Sequence, residues 1–365
     1  VKSTLPPPDQ FGVYLHIPFC SRRCDYCAFA TWDDRGHLQA EYMAALLRDV
    51  EQAVANGMQT VDTVFVGGGT PSLVDPDQLM SVINALPLSL KPEITIECNP
   101  DNVSEALMHA YKKGGATRIS LGVQSMRTNV LKILGREHNP ENVRTAVEAA
   151  EAAGIEEINL DLIYGSVGES IDDVRSTIGE VVALQPTHVS AYGLTVEPGT
   201  PLSRDPSRFP DDDDEADKYL LINSLLEVAG YANYEISNWS RQGSECRHNL
   251  LYWRQGNYLG FGCAAHSHVS GRRSWNVRTP DRYIDLVASG ESREASFEDL
   301  SAEARTLEAL QLALRMRDGI SENHLLAIDL EMLEEFLIRE NGRIRLNPRG
   351  RLVANEIAVR LVVGS

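Results

Sequence analysis

The chain has no run of apolar residues long enough to span a bilayer, and its first residues, VKSTLPPPDQ, carry neither the apolar stretch nor the cleavage signature of a signal peptide. It is short of positive charge. Lys and Arg number 34 against 52 Asp and Glu, a formal net charge of −18, which argues against a general grip on nucleic-acid phosphates. Paired cysteines in the spacing of a secreted disulfide scaffold are missing too: of six, Cys98, Cys246 and Cys263 are scattered, as expected in a reducing compartment. Internal repeats, low-complexity tracts and the G-x-G-x-x-G register of a dinucleotide site are absent as well. These absences lead us to expect a cytoplasmic globular protein, with peripheral contact at a membrane left open.

What is present is an alternation from Phe11 to about Thr195 of short β-branched runs, polar or glycine-rich turns and helical stretches. GVYLHI, TVDTVFV, EITIEC, TRISLGV, EINLDLI and THVSAYGL read as strands, with helices between them. The pattern is that of a parallel α/β sheet, either doubly wound or curled into part of a barrel. The unusual residues fall at strand C-termini, the end at which both architectures place their sites. FPDDDDEADKYLLI, from Phe209, reads as a helix opened by proline and an acidic first turn. From about residue 230 to 278 short strands are punctuated by glycine, and NGRIRLNPRGRLVANEIAVRLV reads as a hairpin followed by a helix, as in a winged-helix module. A packing role is the default for that module in so acidic a chain, and no nucleic-acid partner is expected. The expected division is residues 1–200, 201–300 and 301–365.

HIPFCSRRCDYCAF places Cys20, Cys24 and Cys27 within one loop. Three thiols are too many for one disulfide and one too few for a closed zinc site, so the loop suits a metal centre with an open position. A zinc site completed by a distant His or Cys is the plainer alternative. GGGTP (Gly67 to Pro71) lets backbone approach a ligand closely. Glu97, Gln124, Arg136 and Asp161 supply donors and acceptors suited to ribose and carboxylate, though each alone reads as an ordinary strand-end cap or ion pair.

The cysteine spacing, with Tyr26 before the last thiol, resembles the radical S-adenosylmethionine superfamily. The resemblance implies a partial (β/α)6 TIM-type barrel, a [4Fe–4S] cluster on Cys20, Cys24 and Cys27, and S-adenosylmethionine chelated at the open iron and split to a 5′-deoxyadenosyl radical. It extends over nearly the whole chain, through VYLHIPFC, GGGTPSL, RISLGVQS, LGREH, INLDLIYG and GRLVANEI, to the branch containing the oxygen-independent coproporphyrinogen III oxidases and their heme-chaperone relatives. Carried onto matching positions, it implies cofactor contacts from Tyr14, Gly68, Thr70, Glu97, Gln124, Arg136, Asp161 and Gly193.

Three features favour the chaperones. Phe29 stands where the oxidases have a fourth cysteine, and only about a dozen residues precede the first expected strand, where the oxidases carry an extension. CRHNLLYW matches the chaperones' H-N-x-x-Y-W motif, which implies heme contact by His248, Asn249, Tyr252 and Trp253. A neutral imidazole suits heme iron, and in a helix His248 and Tyr252 share a face. Without the resemblance the same residues read as a capping His–Asn pair beside two core aromatics, and Cys246 as a small buried thiol rather than a second soft ligand. His266 and His268 share a strand face and receive no role. The implied partners are heme and recipient hemoproteins, membrane-associated respiratory enzymes among them; a homodimer is left open.

Overall fold

The computed structural model describes residues 10–362 except 137 and 138, so the end of the LGREH stretch lies outside the described residues. The alternation expected from the sequence is there: β1 (Phe11–Ile17), α1 (Gln39–Ala55), β2 (Val61–Gly68), α2 (Pro76–Asn84), β3 (Leu88–Cys98), α3 (Glu105–Lys113), β4 (Arg118–Gln124), α4 (Thr128–Ile133), α5 (Pro140–Ala152), β5 (Glu157–Tyr164), α6 (Ile171–Ala183) and β6 (His188–Gly193). Only the short α4 lies outside the helical stretches expected from periodicity.

Several of the helices begin where side chains can satisfy their free N–H groups. Asp75 accepts from Gln78 N, Ser104 from Leu107 N, and Ser170 forms a reciprocal capping box with Asp173. Along β1 and β2, buried Val13, Leu15, Ile17, Val64 and Val66 join Tyr42, Leu46 and Val50 of α1 in one apolar core. Each such aliphatic contributes roughly 1.5–3 kcal/mol by leaving water. The polar residues of the strands meet one another on the opposite, concave face, and it is there that chemistry is available.

Strands β1 to β6 are parallel and lie in sequential order, each beside its predecessor. That is the order of a β/α barrel wall; a doubly wound sheet would reverse at a switch point. The wall is partial, because β1 and β6 have other neighbours. After α7 (Asp212–Val228) come β7 (Ala232–Glu235), β8 (Asn238–Ser240), α8 (Arg247–Trp253), β9 (Asn257–Phe261), β10 (His266–Val269), β11 (Arg272–Asn276), α9 (Pro280–Ser289) and β12 (Glu294–Asp299). Strand β9 adds in parallel to β1, with β10, β11 and β12 beyond it, while β8 and β7 extend the sheet past β6. The acidic run opens α7 as expected, with Asp211 accepting from Asp214 N at 3.0 Å.

The C-terminal part holds α10 (Ala302–Leu314), β13 (Ile320–Ser321), α11 (Ala327–Met332), β14 (Leu337–Glu340), β15 (Arg343–Leu346), α12 (Pro348–Leu352) and α13 (Ala354–Ala358) around a separate apolar cluster that includes Leu314, Ile320, Ile344 and Ile357. The β14–β15 hairpin turns on Asn341 and Gly342, both at positive φ, as a two-residue hairpin turn demands. Hairpin then helix is the winged-helix-like order expected. No helix among the described residues is long and apolar enough to cross a membrane.

Candidate functional site

The cysteine loop leaves β1 and is tied back to it. Cys20 N donates to Trp32 O at 3.0 Å and Trp32 N to Pro18 O at 2.8 Å, closing the loop at its base. Its far side is held by Arg23, whose Nη2 donates to Cys27 O at 3.1 Å, and by His16, whose Nε2 lies 2.9 Å from Ala30 O. Burial pushes His16 down to about 4, so this ring is neutral and acts as a fixed strut.

The glycines after β2 are required by what surrounds them. Gly68 has φ +113°, and a Cβ there would lie 2.5 Å from the His16 ring; one on Gly69 would lie 2.5 Å from Phe19 O. With both side chains absent, Gly69 N donates to Ile17 O and Thr70 N to Phe19 O, each at 2.7 Å, which locks the glycine turn against the start of the cysteine loop.

Together these segments border a cavity of about 460 Å³ at the C-terminal ends of the strands. Cys20, Cys24 and Cys27 line it, as do Gly68, Thr70, Glu97, Gln124, Arg136, Asp161 and Gly193. Tyr14 is the exception among the cofactor candidates. It sits deeper in the concave face, stacked on Phe65, with its hydroxyl 3.0 Å from His16 Nδ1.

The electrostatics of the cavity are uneven. Burial, reinforced by the Asp161 charge, raises Glu97 to about 8, while Gly68 N donates to it at 3.2 Å. Asp161 is raised by burial and eased by hydrogen bonds: Ser120 Oγ donates at 2.5 Å and Asn159 Nδ2 at 2.8 Å. Burial raises the Cys20 and Cys27 thiols. Arg136 spans the site, with Nη2 donating to Gly122 O at 2.6 Å and Nη1 3.6 Å from Cys24 Sγ; its Nε is buried without a partner.

This donor set fits an iron–sulfur cluster. Three thiols face an open cavity beside the Arg23 and Arg136 guanidinium groups, whose positive charge offsets that of a thiolate-bound cluster. The fit to a nucleoside carrying an amino acid is also good, since carboxylates, an amide, a guanidinium and glycine backbone line the same cavity.

The CRHNLLYW segment is elsewhere. It forms α8, a helix inside the stretch from 230 to 278 that the sequence reads as short strands, and closes the opposite, N-terminal end of the concave face. Glu93 of β3 caps the helix, accepting from Arg247 N at 3.0 Å and His248 N at 2.9 Å. His248 is buried; its Nδ1 lies 2.9 Å from Thr63 Oγ1 and its Nε2 2.8 Å from Tyr252 Oη. The shared face expected of His248 and Tyr252 is thus a direct hydrogen bond. In this conformation both ring nitrogens have hydrogen-bond partners within the protein. Asn249 donates to Tyr234 Oη at 3.4 Å, and Trp253 ends the helix half-buried. Cys246 is buried against Glu93, its Sγ 3.5 Å from Oε1. Of the unassigned pair, His266 is exposed and His268 is buried, its Nδ1 3.0 Å from Gly256 O.

Sequence reading missed Arg23, which lines the cavity, and two groups that pack against its lining glycines, His16 at Gly68 and Glu215 at Gly193. Arg23 and His16 flank the cysteines in the quoted motif, yet neither is a thiol or a glycine. Glu215, read only as part of a helix start, packs over Gly193, where a side chain would collide with its carboxylate. Burial and then Asp212 raise Glu215 to about 7.

Comparison with known proteins shows the family. Residues 14–181 match the Radical SAM superfamily. Over nearly their full lengths, the chain is 40% identical to the heme chaperone HemW of Mycobacterium tuberculosis, covering 98% of this chain and 96% of that one. It is 37% identical to HemW of Escherichia coli (94% and 97%) and 32% to HemW of Bacillus subtilis (95% and 97%). The structure of coproporphyrinogen III oxidase (HemN) from Escherichia coli superposes with a TM-score of 0.83 over 97% of this chain and 90% of that one, at 20% identity, so the two share a fold. With identity this high along its whole length, the chain belongs to the HemW family of radical SAM proteins.

Proposed function

We propose that this chain is a heme chaperone: it carries a [4Fe–4S] cluster and S-adenosylmethionine, binds heme and delivers it to recipient hemoproteins such as respiratory enzymes. The observation that carries the reading is the near-full-length identity to proteins named heme chaperones, 30–40% across several bacteria. The cavity supports its cofactor half. Cys20, Cys24 and Cys27 would hold three irons and leave the fourth for the cofactor, which when bound supplies radical chemistry through reductive cleavage of its sulfonium. Thr70 and the backbone at Gly68 and Gly193 would receive its amino acid end, and Glu97, Gln124, Arg136 and Asp161 its polar groups.

For the heme half, α8 is closed over the barrel floor. Axial ligation by His248 would require α8 to swing outward and exchange the bonds to Thr63 and Tyr252. We place the work in the cytoplasm, with any membrane contact made through recipients.

The test is an anaerobic heme titration of the cluster-reconstituted protein, followed by the Soret band. Saturable binding above that of a control protein supports the chaperone; its absence overturns it. The second reading, an oxygen-independent coproporphyrinogen III oxidase, is favoured by the shared fold. It requires porphyrinogen product and 5′-deoxyadenosine from anaerobic incubation with coproporphyrinogen III, S-adenosylmethionine and reductant.

A further inference from the structure

Between the cavity and α8 runs a chain of buried polar side chains that the cofactor site alone does not explain. Asn159 Nδ2 donates to Asp161 Oδ1 at 2.8 Å and also to Ser120 Oγ at 2.8 Å. With its amide nitrogen facing the carboxylate, Asn159 turns its Oδ1 to His188, whose Nδ1 is 2.6 Å away. An amide oxygen only accepts, so the His188 proton sits on Nδ1 and Nε2 is the acceptor. Nε2 is met by Tyr234 Oη at 2.8 Å, and that hydroxyl, having given its proton to the ring, accepts from Asn249 Nδ2 at 3.4 Å.

Every donor in this sequence points the same way, from Asn249 through Tyr234, His188 and Asn159 to the Asp161 carboxylate. Aligned hydrogen bonds in a low-dielectric interior strengthen one another. Asn159, His188 and Tyr234 are all buried, so water cannot readily replace a lost link. Burial holds His188 well below its ordinary value, consistent with a neutral ring of single tautomer.

We propose that His188, Tyr234 and Asn249 are positioning residues for the S-adenosylmethionine site: through Asn159 they orient the Asp161 carboxylate, so that the barrel-floor helix α8 is coupled to cofactor binding. The proposal rests on the cofactor reading of the cavity. It gives Asn249 a role that heme contact does not supply, on a helix whose histidine is occupied. By reciprocity, cofactor bound at Asp161 is felt at α8.

The test measures the dissociation constant for S-adenosylmethionine on anaerobically reconstituted wild type, Tyr234→Phe, Asn249→Ala, His188→Leu and His188→Asn, with iron and sulfide content and thermal midpoint beside each. Tyr234→Phe changes no shape and is the central variant. The expected result is full cluster content in all, affinity about threefold weaker in Asn249→Ala and Tyr234→Phe and about tenfold weaker in His188→Leu. His188→Asn, which restores a donor toward Asn159 but not the link to Tyr234, should return the affinity to the level of Tyr234→Phe. Histidine 15N spectra should show the Nδ1–H tautomer for His188 and a shift of its signals on cofactor addition in wild type. Wild type that binds no S-adenosylmethionine overturns the cofactor reading and the proposal with it. Wild type that binds, with Tyr234→Phe and Asn249→Ala within twofold of it, overturns the proposal alone.

Discussion

Arg136 and Cys24, 112 positions apart, meet at the cavity wall with Nη1 3.6 Å from Sγ, while the same guanidinium donates to Gly122 O at 2.6 Å. The contact ties the cysteine loop to β4 and sets a positive charge beside the thiols. Arg136→Lys keeps the charge and loses the fork. Hydrogen bonds to charged groups are worth about 1.5–3 kcal/mol. S-adenosylmethionine affinity should therefore fall about tenfold or more by calorimetry, with the cluster still assembled; unchanged affinity would remove Arg136 from the site.

Cys24→Ala should abolish the iron–sulfur absorption after anaerobic reconstitution: of the other described thiols, Cys98 borders the same cavity but is buried and donates to Ile96 O at 3.8 Å, Cys246 is held at Glu93, and Cys263 is buried against Tyr42. Full absorption and full iron in this variant would refute the ligand assignment.

Gly68→Ala tests the glycine turn without any cofactor. A positive φ of 113° and a Cβ 2.5 Å from the His16 ring should together destabilise the protein by about 2 kcal/mol or more, read as a lower thermal midpoint of the cofactor-free chain. A midpoint equal to wild type would show that the turn can relax.

Glu97 should make the cofactor-free protein lose stability with rising pH. Its carboxyl ionises near 4.5 when unfolded and at about 8 when folded. Between those values the folded state binds the extra proton, so unfolding free energy decreases as pH rises through that window. Glu97→Gln should match wild type near pH 5 and have the higher thermal midpoint at pH 9. The same pH dependence in both proteins would contradict the assignment.

His248→Ala removes partners from Thr63 and Tyr252 and opens space beside Gly12. A loss of roughly 2–4 kcal/mol in chemical denaturation is expected, because buried groups are left unpaired. Heme affinity should fall as well if α8 opens to bind it, and Thr63→Val separates the two effects by loosening the ring without deleting it. Unchanged heme affinity in His248→Ala would leave this residue a packing role only.

Local pattern made much of this molecule legible. Strands β1 to β6 were readable because each is a short β-branched run, and the helices because Asp75, Ser104 and Ser170 announce their starts. Cysteine spacing and GGGTP pointed to one cavity because each is confined to a few residues. The missing parts are the long-range ones. That β9 would add beside β1 depends on pairing across some 240 positions, which no periodicity records. The helical spacing of His248 and Tyr252 was legible, but Thr63, 185 positions away, fills the other ring nitrogen. The chain from Asn249 to Asp161 joins four segments, α8, β7, β6 and β5, whose residues look ordinary one at a time.

The most direct measurement is transfer: load the anaerobically reconstituted protein with heme, mix it with a heme-free recipient hemoprotein, and follow the recipient's spectrum and activity. Recovery of both, faster than from a heme-loaded control protein, is the result this account expects. A protein that takes up no heme, or releases none to the recipient while converting coproporphyrinogen III, would contradict it.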